Sequence, residues 1–114
     1  MNIFGLHCHA PTIFPAYGKL AQAIFATLDV PRLERELVVL VVAVLSDCEY
    51  EWAQHEQIAA AMGIPQAQID AIRAGDFTSA VFNDREKALF EFTQQTVKNV
   101  KVDDPAYAAV AAFY

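Results

Sequence analysis

The longest apolar run in this sequence, residues 37–45, does most to restrict the folds open to the chain. At nine residues it is too short to cross a bilayer, because a spanning helix needs about 20 apolar residues. Its five valines favour a buried strand locally. A helix over residues 31–45 is nevertheless predicted, because Pro31 and charged residues stand at its start and no neighbouring segment offers a strand partner.

Capping residues and glycines predict further helices along the chain. Ser46 followed by Glu49 matches a capping box, which predicts a helix over 47–62 that stops at Gly63. Asn83 followed by Glu86 matches a second capping box. The predicted helices cover residues 2–9, 15–28, 31–45, 47–62, 65–74 (ended by Gly75), 84–99 and 105–114, the last capped by Asp104. The sequence therefore predicts an all-α, single-domain helical bundle over residues 1–114, with a last helix cut short at Tyr114.

Composition indicates one small domain that does not complete its core alone. The chain has 114 residues, enough for one core and too few for two domains. Hydrophobic residues make up 55% of it, against a usual 45–50% for soluble domains. We therefore expect neighbouring copies to cover the surplus, so that the protein is a homo-oligomer.

Charge and N-terminal pattern exclude several classes of partner. The net charge is −6 and the eight Lys and Arg residues are scattered, so no basic stripe is available for a phosphate backbone. We expect no nucleic-acid partner and no membrane partner. The N-terminal segment has no early basic residue and is interrupted by Pro11 and Pro15, which argues against a secretory signal and for a cytoplasmic location.

One segment carries the residue types that chemistry needs. On a helix, Cys48, Glu51 and His55 are related by steps of three and four, which predicts that they share one face. Cys48 would lie in the first turn, where unpaired N–H groups and the helix dipole favour a thiolate. Glu36, on the preceding helix, would face the same pocket. The alternative is structural: a buried cysteine and an ordinary surface Glu–His pair.

Four stretches of the chain form a further pattern: residues 32–38 (RLERELV), 48–55 (CEYEWAQH), 2–4 (NIF) and 84–89 (DREKAL). Together they resemble the carboxymuconolactone decarboxylase family, which also contains alkylhydroperoxidase D-like proteins, and the resemblance extends over most of the chain. It implies an all-helical, alkylhydroperoxidase D-like bundle with a pocket near a subunit interface. It also implies assembly into trimers or hexamers.

The peroxidase branch of that family has a Glu, then Cys-x-x-Cys, then a His four residues later. The resemblance carries this pattern onto Glu36, Cys48, Glu51 and His55, with Glu51 in place of the second cysteine. A carboxylate cannot form a disulfide, so Cys48 and Glu51 cannot run a two-thiol cycle. Cys8 would replace the missing thiol only if the fold brought it beside Cys48.

The decarboxylase branch has a Glu four residues before the His, which Glu51 and His55 match. Decarboxylation of a carboxylated lactone needs a group that holds the carboxylate and an acid that protonates the resulting dienolate, and a histidine can serve in both roles. The predicted pocket supplies no obvious arginine to hold an acidic substrate; the nearest arginines in sequence are Arg32 and Arg35, whose orientation the pattern leaves open.

Three hypotheses remain open. The first is a decarboxylase-like lyase in which His55 and Glu51 act as an acid–base pair on a small carboxylated substrate, with Glu36 as an orienting group. The second is a peroxiredoxin-type oxidoreductase that uses Cys48, either as a single-cysteine enzyme or with an outside thiol that resolves it. The third is a non-catalytic helical oligomer. None of them requires a cofactor or a metal ion, and the adjacent residues His7, Cys8 and His9 would make a poor chelate.

Overall fold

The computed structural model describes residues 3–114, and these residues form helices and turns without any strand. In chain order the helices are α1 (Ile3–His7), α2 (Phe14–Thr27), α3 (Arg32–Leu45), α4 (Glu49–Ala61), α5 (Gln66–Arg73), α6 (Asp84–Asn99) and α7 (Asp104–Ala111). The all-α prediction is confirmed. Asn2, where the first predicted helix begins, lies outside the described residues.

The apolar run at residues 37–45 lies within α3, which is the centre of the fold. Helix α3 packs against α4, α5 and α6. Leu40 and Val41 are completely buried in it, so packing on several sides outweighs the local strand preference of its valines. The core around α3 includes Leu37, Leu40, Val41, Trp52, Ile69, Ile72 and Phe90.

The turn between α3 and α4 differs from the prediction. The backbone N–H of Ser46 still donates to the Val42 carbonyl, so Ser46 ends α3. Asp47 then adopts a left-handed conformation (φ 51°). The N–H of Cys48 donates to the Ala43 carbonyl at 2.9 Å, which completes a Schellman-type turn. The predicted Ser46–Glu49 capping box is therefore wrong, because the Ser46 backbone belongs to the preceding helix and α4 begins at Glu49.

Other predicted helix ends are present. Gly63 and Gly75 follow α4 and α5 with φ values of 86° and 73°, in the left-handed region that glycine adopts without strain. Asn83 and Glu86 form the predicted capping box at the start of α6. The cap of α7 is Asp103, one residue earlier than predicted.

Two arginines hold the helices together at the surface. Arg73 of α5 donates to Glu49 at 2.9 Å and lies 4.7 Å from the centre of the Trp52 ring, both on α4. Its hydrogen bond to Glu49 raises the pKa of the Arg73 guanidinium. These contacts fix α5 against the start of α4, where the predicted site residues lie.

A second arginine, Arg85 of α6, links α3 to the end of the chain. It forms an ion pair with Glu34 of α3 at 2.9 Å. It also stacks on the Tyr114 ring, whose hydroxyl donates to Glu34 at 2.5 Å. The hydrogen bond to Tyr114 is the main cause that raises the pKa of Arg85. Arg85 of α6 and Tyr114 at the chain end thus meet on the Glu34 carboxylate of α3.

Helices α1 and α2 stand apart from this core. Neither contains a fully buried residue. The large apolar side chains that they and their flanking residues expose are Ile3, Phe4, Leu6, Ile13, Tyr17, Leu20, Ile24, Phe25 and Leu28. No helix among the described residues is long and apolar enough to span a membrane.

Candidate active site

The structure brings three of the four predicted site residues together around one imidazole. Helix α4 presents Glu51 and His55 one turn apart, and α3 presents Glu36 from the side. The Nδ1 atom of His55 lies 2.5 Å from Oε1 of Glu36. Its Nε2 atom lies 3.3 Å from Oε1 of Glu51. Both ring nitrogens therefore face a carboxylate oxygen.

Burial divides the two carboxylates into different roles. Glu36 is almost completely buried, at 6% exposed, and a carboxylate in that position is costly unless it is hydrogen-bonded. Its partner is His55, so the contact holds both side chains in place. The Glu51 side chain is 38% exposed and can exchange protons with a bound molecule or with water. The protonated imidazole can donate to both carboxylates at once, whereas the neutral ring can donate to only one.

A cavity lies next to Glu51 and His55. It has a volume of about 710 Å³, and its lining includes Glu51 and His55 from α4. The opposite wall comes from α1 and α2, with aromatic rings that include Phe4, Tyr17 and Phe25. None of the described residues that line it is a lysine or an arginine. The cavity thus offers a carboxylate and an imidazole at one wall, with aromatic and aliphatic side chains and a few neutral polar groups elsewhere.

His7 is a cavity residue that sequence reasoning missed. Its ring lies 4.4 Å from the Tyr17 ring and 5.7 Å from the Phe14 ring, centre to centre. Its Nδ1 atom is buried and has no hydrogen-bond partner. Buried polar atoms of this kind are uncommon. The sequence offers one signal for this residue, the adjacent residues His7, Cys8 and His9. That pattern raises the question of a metal site and does not indicate a cavity wall.

Cys48, the fourth predicted site residue, is placed differently. It precedes α4 as its N-cap residue, not within the first turn, and its thiol is exposed. It lines a separate cavity of about 330 Å³ together with Glu51 and apolar residues of α3 such as Val38. His55 is not among the described residues that line that cavity. The three residues predicted to share one face therefore line two cavities: Cys48 lines the smaller one, His55 lines the larger one, and Glu51 lines both.

The second cysteine does not complete a thiol pair. Cys8 and Cys48 are both free and both exposed. No group of three or more His, Cys, Asp or Glu residues within 3–114 could hold a metal ion.

A third cavity lies on the Glu36 side of His55. It has a volume of about 260 Å³ and is lined by Arg32, Arg35, Glu36 and His55 together with Phe25, Ile58 and Met62. The structure thus settles the orientation that the sequence left open, since both arginines line a cavity that includes His55. Arg35 is already occupied, because it donates to the carbonyls of Ile24 and Phe25 at 3.1 and 2.8 Å and so holds the end of α2.

Comparison with known proteins gives one match. The family model described as "CMD: Carboxymuconolactone decarboxylase family" matches residues 11–95, a span that contains Glu36, Cys48, Glu51 and His55. The searches of curated proteins and of solved structures returned no match.

Proposed function

The chain belongs to the carboxymuconolactone decarboxylase family, and from that membership and the geometry around His55 we propose that it is a decarboxylase-like enzyme. Its substrate is a small carboxylated molecule, and His55 is the proton donor. The observation that carries the proposal is the position of the imidazole, with Glu36 on Nδ1 and Glu51 on Nε2 beside a cavity of about 710 Å³. General acid–base catalysis needs such a group within reach of the bound substrate.

The proposed reaction needs neither a thiol nor an oxidant. The bond between the substrate carbon and its carboxylate breaks, carbon dioxide leaves, and the electron pair passes to the lactone carbonyl as a dienolate. The protonated imidazole of His55 gives its proton to the carbon and later regains one from water. Glu51 relays that proton, because it contacts Nε2 and is partly open to solvent. Glu36 is a positioning residue that holds Nδ1.

The test is turnover of a carboxymuconolactone by the wild-type protein and by His55→Asn. We expect the variant to lose about 10²- to 10⁴-fold in kcat, the usual contribution of a positioned acid or base. His9→Asn is the matched control, because His9 is exposed and lines none of the three cavities around the site. Equal kcat in wild type and His55→Asn would refute the proposal.

A thiol peroxidase is the second candidate, supported by the exposed Cys48 thiol at the start of α4. The Cys48 thiolate would attack one oxygen of the peroxide and break the O–O bond. The sulfur would become a sulfenic acid, and the other oxygen would leave as an alcohol or water. An outside dithiol would then reduce the sulfenic acid in two steps. Peroxide consumption with a dithiol reductant, compared between wild type and Cys48→Ser, distinguishes the two candidates. Equal consumption in both proteins eliminates the thiol candidate.

We also propose that copies of the chain assemble, as trimers or hexamers, through the apolar faces of α1 and α2. The support is the set of large apolar side chains exposed there, including Ile13 at 66% and Leu20 at 59%, because monomers seldom expose contiguous apolar patches of this kind. Light scattering on the purified protein measures the mass directly. Leu20→Glu should reduce it, whereas a monomeric wild type contradicts this assembly. An oligomer without either activity would indicate the non-catalytic hypothesis.

A further inference from the structure

Arg32 differs from every other arginine of the chain. The partners of the other three are the carbonyls of Ile24 and Phe25 for Arg35, the Glu49 carboxylate for Arg73 and the Glu34 carboxylate for Arg85. Within residues 3–114, the Arg32 guanidinium has neither a hydrogen bond nor an ion pair. It is nonetheless one of the residues that line the cavity of about 260 Å³ beside His55.

The other polar groups of that cavity are already paired. Glu36 is engaged by Nδ1 of His55, and Arg35 is engaged by the end of α2. An unpaired guanidinium is therefore the group that remains to bind an incoming molecule. Its planar fork matches a carboxylate, to which it can donate two parallel hydrogen bonds. At about 30 Å³ for each water, a cavity of 260 Å³ takes a carboxylate and a few attached atoms.

The small cavity adjoins the large one. Phe25, His55 and Ile58 line both of them, so the imidazole is a wall common to the two spaces. The large cavity has no described lysine or arginine in its lining. Among the described residues that line the two cavities, the unpaired cation is therefore Arg32 of the small one.

We propose that Arg32 binds the carboxylate that the substrate retains, and so selects carboxylated molecules over neutral ones. The catalytic role of Arg32 rests on the proposed function of His55, whereas the binding of a carboxylate by Arg32 does not depend on turnover. Arg32 anchors the substrate from the small cavity, and the carbon that loses carbon dioxide faces His55.

The experiment measures binding, so it does not rely on the reaction. The probes are muconolactone, which carries one carboxylate on an unsaturated lactone, and its uncharged methyl ester. Their dissociation constants are measured by nuclear magnetic resonance titration of the full chain. For Arg32→Gln we expect about tenfold or greater weakening for muconolactone, because a hydrogen-bonded charge pair is lost. We expect no change for the ester.

Three further variants make the result interpretable. Arg32→Lys keeps the charge without the fork and should recover part of the lost affinity. Lys98→Gln removes one positive charge at the end of α6, away from the cavity linings, and should leave both dissociation constants unchanged. His55→Asn should still bind muconolactone, so a failure of catalysis and a failure of this inference are distinguishable. Equal muconolactone affinity in wild type and Arg32→Gln, or equal weakening for acid and ester, would overturn the proposal.

Discussion

The carboxylate of Glu36 on α3 lies 2.5 Å from Nδ1 of His55 on α4, and the two residues are 19 positions apart in the sequence. Both side chains are largely withdrawn from solvent, at 8% and 17% exposed. The contact therefore connects the packing of the two helices with the orientation of the ring that lines the cavity of about 710 Å³.

Replacing Glu36 with glutamine tests this contact. The amide keeps the shape but not the charge, so the protonated imidazole loses one of its two carboxylate partners. We expect kcat for the carboxymuconolactone to fall about tenfold to a hundredfold, the effect of a hydrogen bond to a charged group, with little change in KM. Steady-state kinetics measure both, and Glu91→Gln on the exposed face of α6 is the matched control. An unchanged kcat would show that Glu36 does not position the ring.

A Glu51→Cys variant tests whether Glu51 is what keeps Cys48 out of disulfide chemistry. Cys48 precedes α4 and position 51 lies in its first turn, the two facing one cavity. We expect mild oxidation to join the two cysteines, with loss of two hydrogen atoms in the intact mass. Glu51→Ala, treated identically, should keep its full mass. Free thiols that persist in Glu51→Cys would show that the turn holds the two positions apart.

The two predicted capping boxes should differ in their effect on stability. Asn83→Ala removes a side chain that accepts a 2.9 Å hydrogen bond from the Glu86 N–H, and we expect the free energy of unfolding to fall by about 1 kcal/mol. Ser46→Ala removes a side chain without a capping bond, so the expected change lies within about 0.5 kcal/mol. Urea denaturation of both variants measures the difference, and equal losses would contradict it.

The fold was more predictable than the site, because helix ends depend on local chemistry. Gly63 and Gly75 are predictable helix ends, because glycine adopts the left-handed conformation readily. The prediction of a capping box at Ser46 is wrong because a capping pattern does not reveal whether the serine backbone already belongs to the preceding helix. The orientation of Arg32 depends on how α3 is rotated against α4 and α2, which no local pattern encodes.

The burial of Tyr114 and its hydrogen bond to Glu34 raise the pKa of its phenol above the usual 10.0. Between 10.0 and that raised value the folded chain holds a proton that the unfolded chain has lost, so stability should decline as pH rises through this window. We expect the free energy of unfolding to decline more steeply there in wild type than in Tyr114→Phe. Denaturation at a series of alkaline pH values measures both slopes, and parallel slopes would contradict the expectation.

The Schellman-type turn at residues 46–48 limits where the chain can accept insertions or deletions without loss of the site. Only these three residues separate α3 from α4, and their N–H groups are bonded back to the end of α3. A residue inserted between Glu49 and His55 would rotate the imidazole about 100° around the α4 axis, away from Glu36. The longer connection between Arg73 and Asp84 does not set the rotation of His55 on α4, although it carries the buried core residues Phe77 and Phe82. An insertion at its exposed positions should therefore leave the contact between Glu36 and His55 intact, whereas an insertion between Glu49 and His55 should break it.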